Sequence, residues 1–202
     1  MEEKAKRTPQ QVFMSIMVIA LLFLFPALSW YYLQTGLNHR KKALSELNEL
    51  GKVGPFQLKN QRNLVISNEG LKGKVTIVNF IPANKTIARN LTDRIAKVQQ
   101  SFNEVDDVIF LSFIPADTSV QLIDMARELA IEDHKQWYLL GSTQEEWQRL
   151  ATEAYKLPKV ENSVALVDTS GTIRNYYDVN INQEMGKLVE QTVLILPKQK
   201  GR

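Results

Sequence analysis

The run VFMSIMVIALLFLFPALSWYYL at residues 12–33 holds no charged side chain, and it constrains the 202-residue chain more than any other feature. As a helix rising 1.5 Å per residue it reaches about 33 Å, the thickness of a bilayer's hydrocarbon core. Such a segment satisfies its backbone internally and is at home in lipid, so it divides the chain into an anchor and a remainder. Trp30, Tyr31 and Tyr32 close the run with amphipathic rings suited to the headgroup level, and a lipid-embedded helix tolerates Pro26 as a kink. A cleaved signal peptide has a shorter apolar core and small residues at its end. Here the aromatic cluster stands in that place, which predicts an uncleaved anchor over residues 12–34.

Charge does not orient the anchor, because Lys4, Lys6 and Arg7 on one side face Arg40, Lys41 and Lys42 on the other. A short N-terminal tail followed by one span generally acts as a signal anchor, and long domains translocate largely regardless of nearby charge. Residues 1–11 are therefore expected to be a cytoplasmic tail, with everything beyond the span outside the cytoplasm. Glu2 and Glu3 do not suit a mitochondrial presequence, so the expected location is a bacterial inner membrane with a periplasmic soluble part. His39 and the three cations after it are expected to meet lipid headgroups.

The chain contains no cysteine. Disulfides, thiolate nucleophiles, CxxC redox pairs and thiolate metal sites are all excluded together. A formal charge of +3 with no basic block gives no footprint for nucleic acid.

Ala43, Leu44, Leu47 and Leu50 recur at helical spacing before Gly51 and Gly54-Pro55, which predicts a short connecting helix in a juxtamembrane segment, residues 35–54. A domain over residues 55–197 follows, then a basic tail, residues 198–202. Within the domain, Phe56-Gln57-Leu58 and Leu64-Val65-Ile66 flank a polar turn as a hairpin would. VTIVNF at residues 75–80 and residues 108–113 read as strands buried on both faces. Between them, residues 86–102 carry Ile87, Leu91, Ile95 and Val98 on one helical stripe. Asp117, Thr118 and Ser119 offer caps for a helix with Val120, Leu122, Ile123, Met125 and Leu129. A third strand at residues 137–140 precedes a capping box, Ser142-Thr143 with Glu145-Glu146, opening a helix to about residue 155. Residues 164–167 and 172–177 form a hairpin around Asp168-Thr169-Ser170-Gly171, and a final helix carries Met185, Leu188, Val189 and Val193 before Pro197. This order predicts an α/β fold, a mixed sheet flanked by helices in the thioredoxin-like arrangement, behind one transmembrane helix.

Several segments resemble the Sco/SenC family, membrane-tethered thioredoxin-fold proteins associated with building the copper site of cytochrome c oxidase. Gly54-Pro55-Phe56-Gln57-Leu58, followed by Leu71-Lys72-Gly73-Lys74-Val75, is similar to the family's hairpin and central strand, although peroxiredoxins share that much. Ser112-Phe113-Ile114-Pro115-Ala116-Asp117-Thr118 resembles the family segment SVDP-x-x-DT, one residue shorter and with Ile114 in place of the aspartate. Trp137-Tyr138-Leu139-Leu140-Gly141-Ser142 is close to W-x-F-L-T-G, and residues 164–177 match the terminal hairpin in outline. The resemblance implies a CxxxC between central strand and helix and a distant histidine, a soft donor set suited to copper. In this chain Asn84 and Ala88 fall at the cysteine positions and Asn162 at the histidine. No cofactor, metal or catalysis is expected from such a set.

Other candidates are bland. His134 reads as a solvated helix end, Asp106-Asp107 and Glu145-Glu146 as strand-flanking and helix-dipole charges, and Met125 and Met185 as packing residues. No Gly-x-Ser-x-Gly or phosphate-cradling glycine loop occurs. The leading expectation is a non-catalytic accessory or assembly subunit of a respiratory, cytochrome c oxidase-type membrane complex, a pseudo-enzyme that binds through Pro82, Asn84, Lys85 and Arg89. The alternatives are a structural component of another envelope complex and, further off, a noncanonical metal-binding protein or enzyme.

Overall fold

The computed structural model describes residues 9–116, 119–131 and 135–197. The chain divides into two compact units, Met1–Ser45 and Glu46–Arg202. In the first, the uncharged run propagates as one helix, α1 (Pro9–Ser45), with Pro26 inside it. Its stretch Met17–Ser45 is long and apolar enough to cross a membrane, and its large side chains, among them Phe23, Phe25 and Tyr32, are exposed.

The expected connecting helix over residues 43–50 does not form as a separate element. Helix α1 ends at Ser45, and the next residues run extended: Asn48 and Leu50 each donate a backbone N–H, both at 2.9 Å, to the carbonyls of Arg174 and Ile173. Leu47 and Leu50 pack on the domain's core instead of stacking along a helix. Gly51, at φ +115°, supplies the backbone conformation that lets this edge segment turn away.

The hairpin β1 (Gln57–Lys59) and β2 (Val65–Ser67) pairs antiparallel as its alternating apolar residues predict. The main sheet contains β3 (Val75–Phe80), β4 (Val108–Pro115), β5 (Trp137–Ser142), β6 (Ser163–Val167) and β7 (Ile173–Asp178) in the order β5-β4-β3-β6-β7. Strands β3, β4 and β5 are parallel, and β6 and β7 add antiparallel. Parallel neighbours need crossover helices of fixed hand. Moving outward from β3, α2 (Lys85–Gln100) and α3 (Ser119–Glu128) therefore cover one face. The return toward β6 runs the other way, which puts α4 (Gln144–Arg149) and the π-helical turn Leu150–Ala154 on the opposite face. The last helix, α5 (Asn182–Ile195), rejoins the first face through Met185 and Leu188.

Several stripes sit slightly off the expected register. On α2, Ile87 is exposed and Ala88 buried, because the helix begins at Lys85 and its inward face runs through residues 88, 91, 92, 95 and 98. On α3, Leu122 and Ala126 are buried while Ile123 faces out. On α5, Val193 is exposed, and Gln191 and Thr192 are buried in its stead: Gln191 takes the Tyr177 hydroxyl and the Asn175 amide, and Thr192 bonds back to the Leu188 carbonyl at 2.7 Å. A buried polar side chain is admissible once its hydrogen bonds are made. The capping box at α4 closes by half. Thr143 Oγ1 accepts from Glu146 N at 3.2 Å, but the Glu146 carboxylate turns to Arg149 at 2.7 Å. Asp117, Thr118, His134 and the tails at residues 1–8 and 198–202 lie outside the described residues.

Gly141 marks the tightest approach in the fold. A Cβ there would lie 2.4 Å from the Ala116 carbonyl oxygen and 3.0 Å from a Leu122 methyl carbon, so α3 seats against β5 only over a residue without a side chain.

Candidate functional site

At the carboxyl end of β3 the chain leaves the sheet through Ile81, Pro82 and Ala83 and enters α2 at Asn84. Asn84 is extended and its Oδ1 accepts the backbone N–H groups of Thr86 and Ile87 at 3.0 and 3.2 Å, a helix N-cap. Between this turn and α3 lies a cleft of about 360 Å³, lined by Pro82, Ala83, Lys85, Ala88, Arg89, Ile114, Pro115, Met125, Glu128 and Leu129. Its location is the crevice outside the carboxyl ends of parallel strands, where open α/β sheets characteristically take ligands.

The structure brings together most of the residues picked out from the sequence. Pro82, Lys85, Ala88 and Arg89 share the cleft, and Asn84 sits beside them with its oxygen committed to the cap. Asn162 does not line it. The antiparallel register Asn79↔Val164 runs β6 back along β3, so the turn at residues 159–162 lies at the same end of the sheet as residues 81–84. Asn162 closes that turn: its N–H reaches the Lys159 carbonyl at 3.4 Å and its carbonyl takes the Val179 N–H at 2.8 Å.

Met125, Glu128 and Leu129 on α3, with Ile114 and Pro115 on β4, complete the walls. Met125 and Leu129 carry the period of a core stripe, so their sequence distinguishes no cleft from a packed interface. Only the small size of Ala83 and Ala88 leaves the space open. Among the described residues the cleft's rim carries two cations, Lys85 and Arg89, and one acid, Glu128. Lys85 pairs with Glu128 at 3.2 Å, both exposed, whereas Arg89 has no ion pair among the described residues.

Beneath α2 and α3 a polar chain crosses the core. Trp137 Nε1 donates to Ser112 Oγ, which donates to Asn79 Oδ1, both at 2.8 Å, and all three side chains are buried. The Asn79 Nδ2 has no partner among the described residues. Asn79 in VTIVNF, which also holds Thr76, and Ser112 in VIFLSF were the available signal for this chain.

Three carboxylates away from the cleft are held by partners within the fold. Asp107 pairs with Lys74 at 2.8 Å. The Arg149 hydrogen bond holds Glu146 below the usual carboxylate value. Partial burial would raise Asp168, but hydrogen bonds from the Ser170 hydroxyl and the Thr172 and Ser170 N–H groups, with Arg174 nearby, hold it below its ordinary value. Among the described residues no three His, Asp or Glu side chains gather in a way that could hold a metal. An amide already capping a helix, an alanine and a turn asparagine do not make a copper donor set.

No family model matches the sequence, and no curated protein does either. Solved structures do. A SCO1/SenC family lipoprotein from Bacillus anthracis is 24% identical with a TM-score of 0.62, covering 72% of this chain and 95% of its own. BsSco, a member of the Sco family of cytochrome c oxidase assembly proteins, is 25% identical with a TM-score of 0.58, covering 73% and 97%. Copper-bound ScoI from Bradyrhizobium japonicum, 18% identical with a TM-score of 0.55, covers 72% and 100%. The unit Glu46–Arg202 therefore has a thioredoxin-like fold similar to that of the Sco/SenC structures, in a chain without one cysteine.

Proposed function

We propose that this chain is a non-catalytic accessory of a cytochrome c oxidase-type membrane complex, held on the outer side of a bacterial inner membrane by residues 12–34. The observation that carries this reading is a fold similar to the Sco structures in a chain without cysteine; the sequence resemblance puts Asn84, Ala88 and Asn162 at the family's copper-ligand positions. Asn84 is committed to an N-cap, Ala88 offers no donor atom, and an amide is a poor partner for soft copper. What the scaffold keeps is a surface. Pro82 and Asn84 in the turn after β3, with Lys85 and Arg89 on the start of α2 where the sequence suggested a loop, form the docking face, since loops and element ends fixed by rigid elements commonly carry binding. The apolar length of α1 and the lipoprotein nature of the Bacillus anthracis neighbour support a tethered, exported domain.

The test is purification of the full chain from native membranes. Oxidase subunits or their assembly factors are expected above background, and their absence overturns the role. The assigned positions have a separate test. Asn84→Cys, Ala88→Cys and Asn162→His together are expected to create copper(I) binding, and a folded triple variant that binds no more copper than the parent chain overturns the register.

A further inference from the structure

The cleft between α2 and α3 has a chemistry of its own. Its walls are apolar, from Pro82, Ala83, Ala88, Ile114, Met125 and Leu129, and its volume of about 360 Å³ lies in the range of natural binding pockets. Among the described residues its rim carries one cation in excess. Lys85 and Glu128 cancel each other, Arg89 has no counter-ion among the described residues, and the first turn of α2 contains no acid to offset the positive end of the helix dipole. A cation at the first helical position, Lys85, runs against the local electrostatic preference of a helix N-terminus. Such departures concentrate where a protein binds something.

We propose that this cleft is the docking site for an acidic segment of a partner protein, which inserts one apolar side chain between α2 and α3 and lays an adjacent Asp or Glu carboxylate on Arg89. A small anion alone would leave the apolar walls uncovered. An extended lipid chain does not fit either, because the cleft follows α2 only from residue 85 to residue 89, about 6 Å of helix. A segment with one apolar and one acidic side chain satisfies both halves of the site. The inference rests on the reading of this loop as a docking surface and adds the chemistry of what docks.

The experiment places the photoreactive residue benzoylphenylalanine at the exposed position 83 of the full chain in native membranes, and sequences the peptide that becomes crosslinked. The expected product is a partner peptide carrying Asp or Glu next to an apolar residue. Its yield should fall about tenfold in the Arg89→Glu background, where like charges meet at the rim, and recover when the partner's acid is changed to lysine. Ala88→Leu, which fills the cleft, should lower the yield without unfolding the domain, as a thermal melt would verify. Crosslinks to lipid, to a basic segment or to a second copy of this chain overturn the proposal, as does a yield indifferent to Arg89→Glu or no product at all. The two readings fail separately. Oxidase subunits that co-purify while position 83 crosslinks elsewhere leave the accessory role and remove the docking chemistry. An acidic apolar segment from a protein outside any oxidase does the reverse.

Discussion

The two faces of the central sheet are packed to different standards. On the face covered by α4, Phe80 and Phe113 stack at 4.7 Å, Phe56 meets Phe113 edge-on at 5.4 Å, and Trp147 and Tyr155 each approach Phe80 at 5.7 Å. The Trp147 indole N–H is satisfied by the Phe113 carbonyl at 3.1 Å, so this cluster leaves its polar tip bonded. On the face covered by α2 and α3, aliphatic side chains fill the middle with the more scattered rings of Phe102, Phe110 and Trp137, a polar chain crosses it, and one end stays open as the cleft. The contrast sets a closely packed aromatic cluster on one face against an open cleft at the end of the other.

The largest expected effect is on the aromatic side. Phe113→Ala removes the ring that touches Phe80, Phe56 and Tyr155, and should destabilise the domain by about 3–5 kcal/mol. Urea denaturation of the full chain in detergent, followed by near-UV circular dichroism, measures this. A loss near zero would mean that the aromatic face is not the anchor of the fold. The contrast is sharpened by adding the same volume to each face. Ala165→Leu, at a fully buried position beneath the aromatic cluster, should cost about 1–3 kcal/mol through overpacking, whereas Ala88→Leu, which borders the cleft, should cost clearly less. Equal costs would show that the cleft does not yield to an added side chain.

This asymmetry explains which parts of the molecule could be read from the sequence. Strand β3 was legible to the residue, because six consecutive buried positions need no knowledge of their neighbours. The connecting helix does not form because Leu47 and Leu50 have helical spacing only by chance, while the edge of β7 takes the backbone N–H groups of Asn48 and Leu50, which no local pattern reveals. The inward faces of α2 and α5 slipped because Ala88 and Thr192 bury as readily as Ile87 and Val193 once the cap and the Tyr177–Gln191 bond fix the rotation. The turn at residues 82–84 and the start of α2 at residues 85–89, read in the sequence as one loop, were singled out by resemblance. The cleft could not, since it is built from what is small at residues 83 and 88 and from the half of α3 that faces them.

The polar chain gives the next effect. Ser112→Ala removes a hydroxyl that links the Trp137 indole to the Asn79 amide, leaving two buried groups unpaired, and should cost about 1–3 kcal/mol by the same denaturation. A neutral result would mean that water reaches this face of the sheet. Asp168 stands apart from both faces, in the turn between β6 and β7, and gives the pH dependence. Its folded pKa is depressed, so its contribution is present above the ordinary carboxylate range and is lost as pH falls through the folded value. Asp168→Asn should cost about 1–2 kcal/mol at pH 7, with the gap closing in acid. A gap that persists unchanged at pH 2 would mean that the charge is irrelevant to the turn.

The smallest effect falls at Asn84, where the open face and the helix end meet. Asn84→Ala deletes the oxygen that accepts the Thr86 and Ile87 N–H groups and should cost about 1 kcal/mol. Asn84→Asp keeps the cap and adds a negative charge to a first turn that has none, so stability should rise by about 0.3–1 kcal/mol at low ionic strength. The same charge lowers the positive potential along the rim that Arg89 creates, so docking of an acidic segment should weaken while the fold strengthens. Thermal melts and crosslinking yield from position 83, measured on the same variant, are therefore expected to move in opposite directions. A variant that gains in both would separate the cap from the cleft and leave Arg89 as the sole electrostatic determinant of what binds there.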